Sequence, residues 1–427
     1  DFDAVVHLHG MASRPEYDGY ATDYIPPNYY KDYIYPNDRA ATIWYHDHQL
    51  HQTADNVKKG LLGMYIVEDE YELGLNLPSG EFDVPLILQQ HPNSRDILLV
   101  NGALKPYMEV MRHKYRFRVL NATANKVDDI TVVKTEDESH KINLKVIGTD
   151  GGLRENPVDT DELEIAPGER YEFVIDFNEL YDNPTKMYDL KFGDDQVLRF
   201  KINPSPVTDN SDVPGFLRSV KRFDNCHGTG DCTEFSPPSD CETTLTFDQD
   251  GQWLINGKGW PEIVACAPAF DESNRQYIVW KLHSAQGTHP VHIHLSDLQI
   301  IEHLNSDNQS IIDDKPYKQN CWKDIFLIRA EETVTVAGIF GPHTGKYMMH
   351  CHNLFHEDND MMVNFVVGED PSEAEDPSMI APAQPISGSM PNLCSGTYSP
   401  TTMPKTIYYD ADAIRKYNLE IYGPDSK

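Results

Sequence analysis

Eighteen histidines lie in this chain of 427 residues, and four H-x-H pairs occur among them: His7/His9, His46/His48, His292/His294 and His350/His352. Random placement at this frequency would yield about one such pair. On a β-strand, residues i and i+2 project from the same face, so each pair presents two imidazoles side by side. Eight neutral nitrogen donors with no carboxylate or thiolate in the pairs suit copper better than calcium or magnesium. They also exceed the four-coordinate demand of one structural zinc. More than one metal ion is implied.

The fourth pair carries a second message, because Cys351 lies between His350 and His352 and must face the other side of the strand. His289 precedes the third pair, and His356 and Met361 follow Cys351 by five and ten residues. Cys351, His289, His356 and a weak axial Met361 form the two-His, one-Cys set of an electron-transfer copper site. The sulfur is then an electron port. From it a short covalent path runs through the Cys351 backbone to His350 and His352. A single H-x-H or a lone Cys is usually surface or packing, and the eight histidines at 51, 91, 113, 140, 227, 283, 303 and 343 are read that way.

Positioning these side chains requires strands. Short runs rich in β-branched and aromatic residues recur between turn residues, as in Gly63–Val67, Val84–Leu88, Tyr115–Leu120 and Tyr171–Ile175, while long 3.6-period segments are rare. That pattern predicts an all-β chain of antiparallel sandwiches. At roughly 150 residues per domain the length suits about three. The divisions expected are a β block over 1–75, a second over 80–203, a linker over 204–241, a third block over 242–367 and a tail over 368–427. Residues 410–421 of that tail are predicted to form one short helix.

Composition narrows the partners. The formal charge of −32 argues against nucleic acid or an anionic membrane, both of which need basic surface. No apolar run approaches the roughly 18 to 20 residues that span a bilayer. With Cys351 committed to a metal, six cysteines remain, allowing up to three disulfides in an oxidising compartment. Two sequons, Asn121-Ala122-Thr123 and Asn308-Gln309-Ser310, agree with a glycosylated, extracellular protein.

Taken together, His7-Leu8-His9-Gly10, Trp44-Tyr45-His46-Asp47-His48, His289-Pro290-Val291-His292-Ile293-His294 and the stretch from His350 through Met361 resemble, in order, the four copper motifs of multicopper oxidases. Within that family, His9-Gly10 to Asp18-Gly19, Lys31-Asp32-Tyr33 and His350 to Asp358 resemble bilirubin oxidases and spore-coat laccases. The resemblance implies three cupredoxin-like Greek-key domains and four copper ions. His7 and His292 would hold a type 2 copper. His9, His46, His48, His294, His350 and His352 would hold a type 3 pair, and Cys351, His289, His356 and Met361 the type 1 copper.

It further implies Asp18 and Glu357 as the acids that pass protons when dioxygen is reduced to water. The implied reductant is a small phenol, aromatic amine or tetrapyrrole docking near an exposed His289 or His356. The alternatives are a metallo-oxidase acting on Fe(II), Mn(II) or Cu(I), and a non-catalytic copper-storage or electron-transfer protein. The sequence departs from the family twice. His7 stands almost at the first residue, so an N-terminal fragment of the same protein is expected to complete the first domain. Gly287-Thr288 precedes His289 where bilirubin oxidases carry Trp, which leaves the laccase pattern equally close.

Overall fold

The computed structural model describes residues 3–182, 187–223, 233–271, 275–385, 415–419 and 423. The chain is all-β, as predicted, and the sheets group into one small unit and two sandwiches. Strands Val6–His9, Ala41–Asp47 and Leu62–Val67 make a three-stranded antiparallel sheet with the middle strand second in sequence. Its register sets His7 opposite His46 and His9 opposite Trp44, so two of the H-x-H pairs meet across neighbouring strands.

The middle sandwich packs two six-stranded sheets face to face. In strand Lys114–Asn121, every residue from Tyr115 onward is buried, which a strand with one solvent face would not show. Tyr115, Phe117 and Val119 enter the apolar core. Arg116 and Arg118, alternating with them, enter a buried ion network with Glu72, Asp83 and Glu172. Arg118 Nη1 also donates to Thr42 Oγ1 at 2.8 Å, fastening the small sheet to this sandwich. Burial alone would push the Glu172 carboxyl up, but the two guanidiniums outweigh it and hold it below the usual carboxylate range.

The third sandwich pairs a sheet built around Gln276–Ser284 and Thr333–Gly338 with a five-stranded sheet in the order Ile263–Ala267, Met362–Val367, Gly345–Cys351, His289–Ile293, Ile325–Ile328. Adjacent central strands of the latter place His292 opposite His350 and Val291 opposite Cys351. The third and fourth motifs are therefore joined by main-chain hydrogen bonds.

The stretch 207–223 packs rather than hangs free. Leu217 joins Leu77, Ile147, Leu153 and Val174, while Val220 and Phe223 pack with Tyr277 and Trp322. The tail also returns to the body. Within the predicted 410–421 segment, residues 415–419 are helical, Tyr417 is buried and donates to the Ile339 carbonyl, and Asn418 donates to the Asp38 carbonyl. No helix among the described residues is long and apolar enough to cross a membrane.

Of the up to three bridges that the sequence allows, Cys241–Cys266 is formed among the described residues, and Cys321 is a buried free thiol near the Tyr317 carbonyl. Cys226, Cys232 and Cys394 lie outside the described residues. The sequon at Asn121 is closed to a glycan, because the side chain is buried and donates to the Lys126 and Ile165 carbonyls. Asn308 is exposed in a turn.

Candidate metal centres

The eight H-x-H imidazoles converge in one buried cage on the seam between the small sheet and the third sandwich. His7 Nε2 lies 3.3 Å from His292 Nε2. His48 Nε2 and His294 Nε2 lie 3.1 and 3.2 Å from His350 Nε2. The rings of His9, His46 and His352 stand 5.1 to 5.7 Å apart, centre to centre. All eight rings adjoin one another closely enough that several triplets, among them His48, His294 and His350, could each hold a metal ion.

Polar contacts on the outer side of most of these rings set which nitrogen turns inward. Nδ1 of His7, His46 and His292 donates to the carbonyls of Asp18, Asp47 and Asp324 at 2.5, 2.9 and 2.9 Å. His294 Nδ1 is 2.7 Å from Asp18 Oδ2, and His350 Nδ1 is 3.0 Å from Glu357 Oε2. His48 Nδ1 faces the other Glu357 oxygen at 3.7 Å. Each of these six offers Nε2 to the cage.

His9 is reversed. Its Nε2 meets Asp324 Oδ1 at 3.1 Å, leaving Nδ1 without a protein partner. His46 Nε2 and both nitrogens of His352 are likewise buried and unpartnered. Buried imidazole nitrogens left unpaired cost about 1–3 kcal/mol each, a cost that metal ligation removes. Burial, reinforced by neighbouring imidazoles, pushes His7, His9, His292, His294 and His352 well below the usual histidine range, and holds His46 at about 3 and His48 at about 4. Neutral rings with free lone pairs are the form that binds copper, so the residues present fit the ions the family implies.

The second centre lies on the other face of the same strand. His289 Nδ1 is 3.3 Å from Cys351 Sγ, His356 Nδ1 is 3.7 Å from it, and the two imidazole nitrogens are 3.3 Å apart. Met361 is fully buried in the same apolar cluster as Cys351, and its carbonyl accepts the Cys351 N–H. Burial pushes the Cys351 thiol up, so a thiolate here requires a cation beside it. Of the two histidines expected to meet the donor, His289 is buried. His356, half-buried, is the member of this set that reaches the surface, in a hollow of about 470 Å³ lined also by Trp253, Gly287, Thr288, Asn353 and Arg329.

Three contributors carry no motif and escaped the sequence reading. Trp253 stacks on His356 at 3.8 Å and 15°, reaching the centre from strand Gln252–Ile255 rather than from the segment before His289. Asp324 touches His9 and His292. Arg170 grips Asp324 through a bidentate pair at 2.6 and 2.7 Å. The two predicted acids are both at the cage. Asp18, from the small-sheet segment, reaches His294 of the third sandwich; Glu357 sits under His48 and His350.

This arrangement of sandwiches and histidine sets belongs to one class, and direct comparison agrees. Multicopper oxidase family models match residues 1–72, 44–194 and 234–371, and the chain belongs to the multicopper oxidase family, a family of oxidoreductases that use copper. It is 36% identical to the bilirubin oxidase of Albifimbria verrucaria, over 84% of this chain and 66% of that one. It is 30% identical to the laccase of Bacillus subtilis, over 84% of this chain and 78% of that one. The crystal structure of the McoA multicopper oxidase of Aquifex aeolicus superposes with a TM-score of 0.68 at 25% identity, covering 86% of this chain and 85% of the other.

Proposed function

We propose that this chain oxidises phenolic, aromatic amine or tetrapyrrole donors one electron at a time and reduces dioxygen to water. In this reading His289, Cys351, His356 and Met361 hold a type 1 copper, His7 and His292 a type 2 copper, and the other six cage histidines a type 3 pair. When bound, four coppers supply the four one-electron changes that O2 + 4 e⁻ + 4 H⁺ → 2 H2O requires and that no side chain here can store.

The protein's own part follows from its geometry. The hollow beside His356 is open and wide, so it admits donors by shape tolerance rather than by a tight pocket. Cys351, flanked by His350 and His352, gives a through-bond route from that hollow to the cage. Asp18 and Glu357, buried against cage imidazoles, are placed to hold protons at His294, and at His48 and His350. One observation carries the proposal: the Cys351 sulfur faces His289 and His356 while the histidines on either side of it face the eight-imidazole cage. The Cys241–Cys266 bridge favours an oxidising, extracellular location.

Oxygen uptake tests it. With a phenol donor, four donor equivalents are expected per dioxygen with no accumulated peroxide; two equivalents with peroxide, or no uptake, would refute the reading. Running bilirubin, Fe(II) and Mn(II) alongside ranks the donor classes, and faster turnover on a metal ion than on any organic donor would assign a metallo-oxidase instead.

A further inference from the structure

The middle sandwich supplies no imidazole to the cage, yet one of its side chains reaches the cage wall. We propose that Arg170 is a positioning residue for the trinuclear histidine cage, setting where His9 and His292 stand by gripping Asp324. This rests on the copper-cage reading above and adds a residue that no motif marks.

All five N–H donors of the Arg170 guanidinium are used. Nε donates to the Thr42 carbonyl at 3.1 Å, on the strand that carries His46. Nη1 donates to the Gly168 carbonyl at 3.0 Å and to Asp324 Oδ1 at 2.6 Å. Nη2 donates to the Asp150 carbonyl at 3.1 Å and to Asp324 Oδ2 at 2.7 Å. One buried side chain therefore ties together the small sheet, its own sandwich and the third sandwich.

Its partner Asp324 is the only carboxylate among the described residues that both accepts from His9 and lends its backbone carbonyl to His292. Through it the fork decides that His9 turns Nδ1 inward. Backbone space is reserved for the pair. Gly10, the residue after His9, has φ +94°, and a Cβ there would lie 2.7 Å from Arg170 Nη2 and 3.1 Å from Asp324 Oδ2. Gly168, two residues before Arg170, packs against the other end of the cage, where a Cβ would lie 3.1 Å from His352 Cδ2. Asp18 offers the contrast: it reaches His294 across the same seam with no arginine behind it, and its Oδ1 has no hydrogen-bond partner, with His7 Nδ1 3.6 Å away. A gripped carboxylate orients, whereas an ungripped one is free to exchange a proton.

The test uses the copper-loaded full chain. Arg170→Lys keeps the charge and loses the fork, and Asp324→Asn keeps the shape and weakens the grip. In both, cage copper should pass to a chelator at about tenfold lower chelator concentration, with an altered cupric EPR signal and kcat down about tenfold. The thiolate-copper absorption and the donor KM should not move. Arg154→Lys, a buried arginine bonded to the Tyr317, Pro316 and Gln319 carbonyls away from the cage, should lower the unfolding midpoint without changing copper retention. Parent-like retention in both Arg170→Lys and Asp324→Asn overturns the proposal, as does equal copper loss from Arg154→Lys. If Arg170→Lys does not fold, Asp324→Asn decides alone. A parent chain that binds no copper refutes the proposed function along with this inference; a copper-loaded parent matched by both variants refutes this inference alone.

Discussion

The two candidate metal centres share one strand and differ in how they are built. The thiolate centre draws His289, Cys351 and His356 from one sandwich, two of them on hydrogen-bonded neighbouring strands. The eight-imidazole cage is assembled from segments far apart in the chain, 302 residues in the case of the His48–His350 contact. The first has its side chains within one sandwich, with the Leu354–Glu357 turn that bears His356 also bonded to Ala124 of the middle sandwich. The second needs two units brought into register, and the structure meets that need with carboxylates exchanged across the seam: Asp18 to His294 in one direction, Asp324 to His9 in the other. A centre inside one core inherits its precision from packing, and a centre on a seam has to acquire it from buried polar contacts.

That difference can be broken open experimentally. The largest expected effect is on stability. Arg118→Met removes one of the two guanidiniums facing Glu172, Glu72 and Asp83, and breaking a buried ion pair from one side costs about 3–5 kcal/mol. In urea the variant should lose cage copper at a lower concentration than it loses the thiolate-copper absorption. Simultaneous loss would show that the two centres unfold as one.

The same network sets an acid limit. The Glu172 pKa is lowered in the fold, so its stabilisation is complete above the ordinary glutamate value and disappears as pH falls through the lowered one. The parent should therefore hold its cage somewhat below pH 4.5, the unshifted glutamate value, and the variant should release it at higher pH than the parent. Acid profiles that coincide would remove this network from the account.

Next in size is Asp18→Asn. Loss of one proton donor typically costs 10²–10⁴-fold, so reoxidation by dioxygen should slow by roughly a hundredfold while the thiolate-copper absorption stays unchanged. Unchanged turnover would mean that Asp18 only orients His294. The smallest effect belongs to the outer edge of the single-sandwich centre. Trp253→Ala removes the ring stacked on His356, and an aromatic contact worth about 0.5–1.5 kcal/mol corresponds to a two- to tenfold change in donor KM. The rate of reoxidation should not respond; a response there would tie Trp253 to the cage instead.

Much of this was legible in the linear chain because alternation along a strand is a local rule. It separates Cys351 from His350 and His352 without knowledge of any partner, and the β-branched runs at Gly63–Val67 and Tyr115–Leu120 fall inside observed strands. What stayed hidden is long-range or depends on a shared core. Asp324 meets His9 across 315 residues, and Arg170 meets Asp324 across 154, with nothing in either neighbourhood to announce it. Trp253 lies 103 positions before the His356 it covers. Tyr417, in the 410–421 segment predicted as one short helix, is buried because Phe270 and Ile339 offer it an apolar seat, a contact that its own neighbourhood does not announce. The sequon at Asn121 shows the reverse error, a surface signal carried by a residue whose side-chain hydrogen bonds close a turn inside the fold.

Absorption spectroscopy on Cys351→Ser, with copper quantified in parent and variant, tests the central claim most directly. Parent protein should carry four copper ions and an intense visible thiolate band; the variant should lose that band and one copper, keep three, and retain no donor-driven oxygen uptake. A parent without the band, or a variant that still oxidises donors at the parent's rate, would contradict the assignment of this sulfur as the link between the two centres.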